Sequence, residues 1–294
     1  MSQSKLQRLE LTHDAMSTTF TAAVFHSDPR YARQAVEEAF AELDRIEERL
    51  TRFADNSDIA RINRLRAGES VLVHPDTYDC LRVALRMQRA TGGVFDVAYA
   101  SARQPKPGPR IALEPRRPAV RVLADGTRLD LGAIGKGFAL DRMAALLKEW
   151  GVRSALLCAS ASSLLAMGPP PDEPGWRISF GLDGAKRIAW LANVSFSGSG
   201  LAVKGRHICD PRTGQPADGN HRAWAAAPTA AVSDALSTAF MILTEEEIRD
   251  CCRRLPKVSA FVQKSEALQL TVIADRIGSR EPSDRKDSRA TPKC

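Results

Sequence analysis

The stretch LDLGAIGKGFALD, residues 129–141, combines residue types that can hold an anion. A short apolar strand carries Asp130, meets three glycines and Lys136, and turns directly into a helix. Backbone N–H groups at a helix start favour a phosphate, and a nearby lysine adds positive charge. The glycine spacing matches neither the dinucleotide fingerprint nor the phosphate-binding loop of the Walker type. A tight turn with a solvated lysine explains the same residues equally well, so both interpretations stay open at this point.

The stretch APTAAVSDALSTAF, residues 227–240, could hold a metal ion. Asp234 and Thr238 are four residues apart, so they share one face of a helix. A carboxylate and a hydroxyl on one face can ligate a hard cation such as Mg²⁺, with waters and phosphate oxygens completing the shell. The alternative is an exposed aspartate and a threonine that bonds to its own helix. Taken alone, this spacing favours the alternative.

A third candidate is HICDPRTGQP, residues 207–216, which contains the turn sequence Asp-Pro-Arg-Thr-Gly. His207 could accept a proton there, and Arg212 could act as an orienting cation. The alternative is a purely structural turn. Two smaller candidates are Asp96, which follows a Gly-Gly turn, and the polar cluster at residues 16–19.

Composition limits the class of protein. The chain has 294 residues, of which 44% are hydrophobic, enough for one large domain or two intimately packed ones. The net charge of +7 weakly favours anionic ligands, but an aromatic fraction of 6% argues against a stacking platform for nucleic acid. Six cysteines without metal-ligand spacing are expected to be reduced. The first residues lack the apolar core of a signal peptide, and no stretch is apolar enough for a membrane span.

Apolar periodicity and turn residues divide the chain into elements. The clearest helix begins near residue 29, because apolar residues recur every three or four positions at Val36, Phe40, Leu43, Ile46 and Leu50. Hairpins mixed with strand–helix units favour an α+β sandwich over a doubly wound parallel sheet. The other predicted elements are strands within 5–25, a helix from Pro75 to about Ala90, a hairpin around Asp125-Gly126, a helix over about 136–150, the buried strand SALLCAS, several strands within 176–208, helices over about 230–243 and in EEEIRDCCRRL, and closing strands VSAFVQ and LQLTVIA.

In this combination and order, the motifs resemble those of the ApbE family, the FAD:protein FMN transferases. The motifs are AMSTTF, RFADNSDIARIN, TGGVFDV, LDLGAIGKGFALD, RHICDPRTG and APTAAVSDALSTAF, and the resemblance covers roughly residues 12–275. It implies an α+β, ApbE-like (T-fold-like) fold of mixed sheets with packed helices. We expect one globular unit of two intimately packed subdomains over residues 1–277. A charged tail, residues 278–294, is expected to be disordered.

The resemblance also implies an activity. Family enzymes transfer the FMN moiety of FAD to a threonine or serine of an acceptor protein and release AMP, with Mg²⁺ clamping the pyrophosphate. Such displacement at phosphorus needs charge neutralisation and positioning more than a covalent protein nucleophile. Two alternatives stay open: a Mg²⁺-dependent FAD pyrophosphatase that gives FMN and AMP, and a catalytically degenerate flavin-binding scaffold. FAD and an acceptor protein are the implied partners, and a cytoplasmic location is expected although many relatives are exported.

Residue roles follow from the resemblance by motif. The implied metal ligands are the side chains of Asp234 and Thr238 and the backbone carbonyl of Ala133. The implied contacts to FAD are Asp130 and Lys136. Met16 and Phe53 would line the flavin or adenine pocket, Ile208 would pack on it, and His207 would accept the proton of the incoming hydroxyl.

The chain departs from the family pattern at two motifs and one loop. Ala159, Ala161, Ser162 and Ser163 stand where Asn, two glycines and Asp are expected, and Phe196-Ser197-Gly198 replaces Thr-Ser-Gly. The proline-rich SARQPKPGPR takes the place of a longer loop. The retained polar residues argue against full degeneration, because packing does not require Asp130, Lys136, Asp234 and Thr238. The loss of the Asn-x-Gly-Gly-Asp motif argues for it.

Overall fold

The computed structural model describes residues 5–101, 108–182, 185–200, 210–214, 220–264 and 269–282. In chain order its elements are β1 (Gln7–Ala15), β2 (Thr18–His26), α1 (Pro29–Leu50), α2 (Asp58–Ile62), β3 (Ser70–Leu72), α3 (Pro75–Ala90), β4 (Ile111–Leu113), β5 (Ala119–Val122), α4 (Gly135–Glu149), β6 (Ser154–Ala159), β7 (Ser163–Met167), β8 (Trp176–Phe180), β9 (Arg187–Leu191), β10 (Val194–Gly200), β11 (Arg222–Ala227), α5 (Ala230–Phe240), α6 (Glu245–Arg254), β12 (Ser259–Gln263) and β13 (Leu270–Ala274).

An eight-stranded sheet organises these elements. Its order is β1-β2-β6-β7-β10-β11-β12-β13, and every neighbouring pair is antiparallel. The main core lies between one face of this sheet and the helices, and a second core lies between the opposite face and the hairpin β8–β9. A separate small sheet of order β3-β5-β4 contributes Ile111, Val120 and Val122 to the main core. The α+β class predicted from the sequence is confirmed.

The long helix α1 forms where its local signals place it. Asp28 caps its first turn, accepting from the backbone N–H of Arg30 at 2.9 Å and of Tyr31 at 3.2 Å, and Pro29 has a fixed φ suited to the first helical position. All five apolar residues predicted to face inward are buried. The predicted helices at α3 and α6 and the closing strands β12 and β13 are also confirmed.

The helix α5 is almost entirely buried, which suits a segment built from alanines and serines. Packed against α3, α4 and the sheet, it has no solvent-facing stripe of charged residues. Its predicted apolar side is buried, namely Ala231, Ala235, Leu236, Phe240 and Leu243, although the helix ends at Phe240.

The predicted hairpin around Asp125-Gly126 is wrong, as is the short strand expected at LDL. The strand β5 pairs with β3 and β4 instead, and residues 127–131 form no strand. The side chain of Asn63 takes the place of a strand partner there. Its amide donates to the Leu129 carbonyl at 3.0 Å, and its oxygen accepts from the Leu129 N–H at 2.7 Å.

The described cysteines are not all in the expected reduced state. Cys80, Cys251 and Cys252 are free and buried, whereas Cys158 is disulfide-bonded, so the expectation of reduced thiols fails at Cys158.

At the start of the expected tail, Arg280 forms a β-bridge with Ile188. Residues from 283 onward lie outside the described part, and the disorder of the tail stays a prediction. Among the described helices, none has the length and apolar character needed to cross a bilayer.

Candidate functional site

The centre of the candidate site is the carboxylate of Asp234 at the junction of α4, α5 and β7. Its side chain is buried, with the residue 4% exposed. Its Oδ2 accepts from the backbone N–H of Gly137 at 3.1 Å and lies 3.7 Å from Nζ of Lys136. Its Oδ1 accepts from the hydroxyl of Ser163 at 3.0 Å. Asp234 is therefore not an exposed helix residue, and that interpretation is wrong. A buried carboxylate needs hydrogen-bond or charged partners, and Gly137, Ser163 and Lys136 supply them.

Lys136 is held against this carboxylate rather than solvated. Its ammonium group donates to the carbonyl of Gly132 at 3.2 Å and faces Asp234, and its side chain is 23% exposed. The lysine therefore sits at the N-terminal end of α4, where free backbone N–H groups already favour an anion.

Close packing of α4 on α5 makes this geometry possible. A Cβ added to Gly137 would lie 2.1 Å from the carbonyl oxygen of Ala230, a distance that excludes any side chain. Asp141 then fixes the same junction one turn further along α4. Its carboxylate accepts from the N–H groups of Ala230 at 2.7 Å and Ala231 at 2.9 Å, the first residues of α5. Burial raises the pKa of Asp141 to about 6, although these two N–H groups act in the opposite direction.

Thr238 lies one helical turn after Asp234 and makes the bond to its own helix that the alternative interpretation expected. Its hydroxyl is 3.4 Å from the carbonyl of Asp234, a long contact, and 3.3 Å from the hydroxyl of Ser199 on β10. Ser199 also contacts Ser237 at 3.0 Å. A hydroxyl oxygen has two lone pairs, so these bonds leave Thr238 able to act as a ligand as well.

Ala133 immediately precedes α4. Ile134 is the N-cap, and its carbonyl accepts the first helical bond from Phe138 at 2.9 Å. The Ala133 carbonyl therefore lies outside the hydrogen-bonding pattern of the helix. Among the described residues no group of three His, Cys, Asp or Glu side chains could hold a metal. A cation here would need one carboxylate, one hydroxyl, one carbonyl and external oxygens, a donor set that fits Mg²⁺.

Asp130 is positioned by the turn that leads into α4. Its Oδ1 accepts from the N–H of Gly132 at 2.8 Å, and its Oδ2 lies 3.3 Å from Nε of Arg52. The next residue is Phe53, and the guanidinium carbon of Arg52 lies 4.4 Å from the centroid of the Phe53 ring. The ring of Phe53 is 80% exposed, so one large apolar surface beside Asp130 faces solvent. Arg52 contacts both the Asp130 carboxylate and the Phe53 ring, so these two candidate residues lie on either side of one arginine.

Met16 lies at the tip of the β1–β2 hairpin. Met16 and Ser17 both have positive φ, 50° and 58°, which is uncommon for residues with side chains. A cavity of about 480 Å³ opens at this tip and is lined by residues 14–19 and Glu47. The backbone N–H of Ser160 donates to the Thr19 carbonyl at 2.9 Å, so the tip adjoins the turn that departs from the family pattern.

The DPRTG turn is present, and Arg212 ties it to α6. Its guanidinium group donates to both carboxylate oxygens of Asp210 and to Glu247 at 2.8 Å. Gly214 has the positive φ expected of the turn, 71°. His207 and Ile208 lie outside the described residues. Asp96 precedes Val97, whose carbonyl accepts from the backbone N–H of Asp130 at 2.8 Å, and burial raises the pKa of the Asp96 carboxyl above its ordinary value.

Three residues of this region had no assigned role in the sequence. Ser199 carries no local signal, because it reaches the site from β10, an element distant in the chain. Arg52 begins the quoted motif RFADNSDIARIN, but its contact with Asp130 depends on packing. Asp141 lies in the quoted motif, and the i+4 spacing from Gly137 could have placed both on one face of α4.

Named relatives match most of the chain. A protein named FAD:protein FMN transferase from Escherichia coli (strain K12) is 22% identical over 279 residues, covering 81% of this chain and 79% of the relative. One of the same name from Treponema pallidum is 26% identical over 293 residues, covering 83% and 81%.

Two solved structures show the same fold. The apo form of Pseudomonas stutzeri flavinyl transferase ApbE superposes with a TM-score of 0.82 at 22% identity, over 94% of this chain and 97% of that chain. The flavin transferase ApbE from Vibrio cholerae superposes with a TM-score of 0.78 at 17% identity, over 92% and 98%. The family model described as "ApbE family" matches residues 16–262, which is most of the chain. The chain therefore belongs to the ApbE family.

Proposed function

We propose that this protein transfers the FMN moiety of FAD to a threonine or serine hydroxyl of an acceptor protein and releases AMP, in a Mg²⁺-dependent reaction. One observation carries the proposal: the buried Asp234 carboxylate, the Lys136 ammonium group and the N-terminus of α4 meet within hydrogen-bonding or ion-pairing distance. Such a combination offers one anionic oxygen site for a cation and two positive features for a phosphate. The names of the relatives support the same reaction.

The chemistry is a displacement at phosphorus. The acceptor oxygen forms a bond to the phosphorus of the FMN half, and the bond from that phosphorus to the bridging oxygen breaks. AMP leaves with the bonding electron pair, and the hydroxyl proton passes to a base. His207 is the base that we propose from the family resemblance.

Asp234, Thr238 and the carbonyl of Ala133 would hold Mg²⁺, since all three are hard oxygen donors. When bound, the ion supplies charge neutralisation on the pyrophosphate. Gly137 and Ser163 orient the carboxylate by their hydrogen bonds.

The remaining residues bind and position FAD. Lys136 offers a positive charge to a phosphate oxygen, which could replace the carbonyl of Gly132 as its hydrogen-bond acceptor. Phe53 offers an exposed ring on which an adenine or flavin can stack. Asp130 supplies a carboxylate acceptor beside that ring, and Met16 would line the cavity at the hairpin tip.

The test measures all products together. The purified protein is incubated with FAD and Mg²⁺, with and without an acceptor domain carrying an exposed threonine, and AMP, free FMN and covalent flavin are quantified. The proposal expects AMP and covalent flavin in equal amounts, and only with the acceptor. AMP with free FMN in the absence of acceptor would instead identify an FAD pyrophosphatase. Bound FAD without turnover would identify a flavin-binding scaffold.

A further inference from the structure

Ser163 is the first residue of β7 and faces the helix layer of the molecule. It is 2% exposed, and its hydroxyl donates to Oδ1 of Asp234 at 3.0 Å. Side chains alternate along a strand, and Leu165 on the same face belongs to the main core, whereas Leu164 packs on the other side of the sheet. The orientation of Ser163 is thus set by the sheet.

The strand β7 holds this hydroxyl in place from two sides. Ser163 pairs with Ala159 of β6 and with Ser197 of β10 in the antiparallel ladder. Ser197 faces the same helix, and its hydroxyl is 2.7 Å from that of Ser233, the residue before Asp234. Two adjacent serines on neighbouring strands therefore fix two adjacent residues of α5.

The Asp234 carboxylate is consequently held by two different elements. Its Oδ1 is bound from the sheet by Ser163, and its Oδ2 is bound from α4 by the backbone of Gly137. With one donor on each oxygen, the carboxylate plane cannot rotate freely, and each oxygen keeps a lone pair for a further partner. Ser163 is neutral, so it orients this carboxylate without adding a charge to the site.

We infer that Ser163 is a positioning residue that sets the affinity of Asp234 for a divalent cation. This inference rests on the proposed function. Without the hydroxyl, Oδ1 loses its buried donor, and the carboxylate can turn toward Lys136, whose ammonium group lies 3.7 Å from Oδ2. The ion pair with Lys136 would then shorten and compete more strongly with the metal. Losing a hydrogen-bond partner of a metal ligand commonly weakens metal binding about 10–100-fold.

The test compares Ser163→Ala with Ser162→Ala as a matched control. Ser162 is the neighbouring serine, and its hydroxyl donates to the Ala159 carbonyl at 3.1 Å. Mn²⁺ serves as the probe, because it shares the preference of Mg²⁺ for oxygen ligands. Loss of the free Mn²⁺ signal in electron paramagnetic resonance reports binding to FAD-loaded protein without acceptor, after subtraction of Mn²⁺ bound by FAD alone. The Mg²⁺ dependence of AMP release is measured separately with acceptor.

Ser163→Ala should raise the Mn²⁺ dissociation constant, and the Mg²⁺ concentration for half-maximal AMP release, by about 10–100-fold while kcat at saturating Mg²⁺ is retained. Ser162→Ala should behave as wild type. Ser163→Cys keeps the size of the side chain but is a weaker donor, so it should give an intermediate shift. If Ser163→Ala fails to fold, the cysteine variant decides alone.

The inference would be overturned if Ser163→Ala, or Ser163→Cys where the alanine variant does not fold, kept the wild-type Mn²⁺ dissociation constant. A lower kcat with an unchanged Mn²⁺ dissociation constant would overturn it as well. Wild-type protein that binds no Mn²⁺ would overturn it too. Wild-type protein that binds Mn²⁺ but never releases AMP would contradict the proposed function alone, and the Mn²⁺ titrations would still decide the role of Ser163.

Discussion

The backbone N–H of Gly137 donates to Oδ2 of Asp234 at 3.1 Å, although the two residues are 97 positions apart. This bond exists because Gly137 has no side chain and lets α4 approach the first turn of α5. The candidate metal ligand is therefore oriented partly by the backbone of another helix. The contact links helix packing directly to the proposed chemistry.

Replacing Gly137 by alanine should destabilise the fold and reduce activity together. The new Cβ would lie 2.1 Å from the Ala230 carbonyl oxygen, so the two helices must separate. We expect a loss of at least about 1–3 kcal/mol in the free energy of unfolding, measured by urea denaturation. Gly135→Ala is the control, because its Cβ would meet nothing closer than 3.9 Å. Equal stability of the two variants would contradict the close approach of the helices.

Asp234→Asn should abolish Mg²⁺-dependent AMP release and leave the fold intact. The amide keeps the volume of the side chain, and its oxygen can still accept one of the two hydrogen bonds. Asp234→Ala is a poorer probe, because it leaves the Gly137 N–H and the Ser163 hydroxyl without their acceptor. Each lost acceptor costs about 1–3 kcal/mol, so the alanine variant should melt at a lower temperature. AMP release by Asp234→Asn at the wild-type rate would refute the metal assignment.

Asp141 should make stability depend on pH between about 4 and 6. Burial raises its folded-state pKa to about 6, above its ordinary value, so the folded protein holds the proton more tightly than the unfolded chain does. This contribution to stability is complete below the unfolded pKa and is lost as the pH rises through about 6.

Urea denaturation of wild type and Asp141→Asn across this range measures the effect. Because asparagine does not titrate, the stability of wild type relative to the variant should fall from pH 4 to pH 6 by up to about 3 kcal/mol and level off above pH 7. A relative stability that rises over the same range would show that the pKa of Asp141 is lowered instead.

Phe53→Ala should weaken FAD binding without changing stability. The ring is 80% exposed, so its removal costs little apolar burial. Stacking of a base on an aromatic ring contributes about 1–3 kcal/mol, which predicts a rise of about 5- to 150-fold in the dissociation constant for FAD. Fluorescence titration with FAD measures it. Leu72→Ala is the control, since Leu72 is also a large exposed apolar residue, at 55%. Equal effects of the two variants would rule out stacking on Phe53.

The elements with local signals were predictable from the sequence. Periodic apolar residues and the Asp28 cap define α1, and the spacing of Asp234 and Thr238 correctly places them on one face of α5. The absence of a hairpin at Asp125-Gly126 was not predictable, because Asn63 binds the backbone of Leu129 from 66 positions away. A pattern read within a short window cannot include such a partner.

The same limit applies to the site. The family resemblance names the residues of the turn and of α5, whereas their partners come from packing. Arg52 reaches Asp130 from the end of α1, and Ser163 reaches Asp234 from β7. The sequence marks Ser163 only as a departure from a motif, because its contact with Asp234 depends on the strand order of the large sheet.

The distances along the chain between these partners bear on how the protein folds. Ser163 and Gly137 contact Asp234 across 71 and 97 positions, and Asp141 contacts Ala230 across 89. Long loops must close before any of these contacts forms, and such non-local topologies fold slowly. During refolding, helical circular dichroism should therefore recover before divalent-cation binding does. Cation binding would then report the last stage of folding, and a partly folded intermediate would not bind the cation.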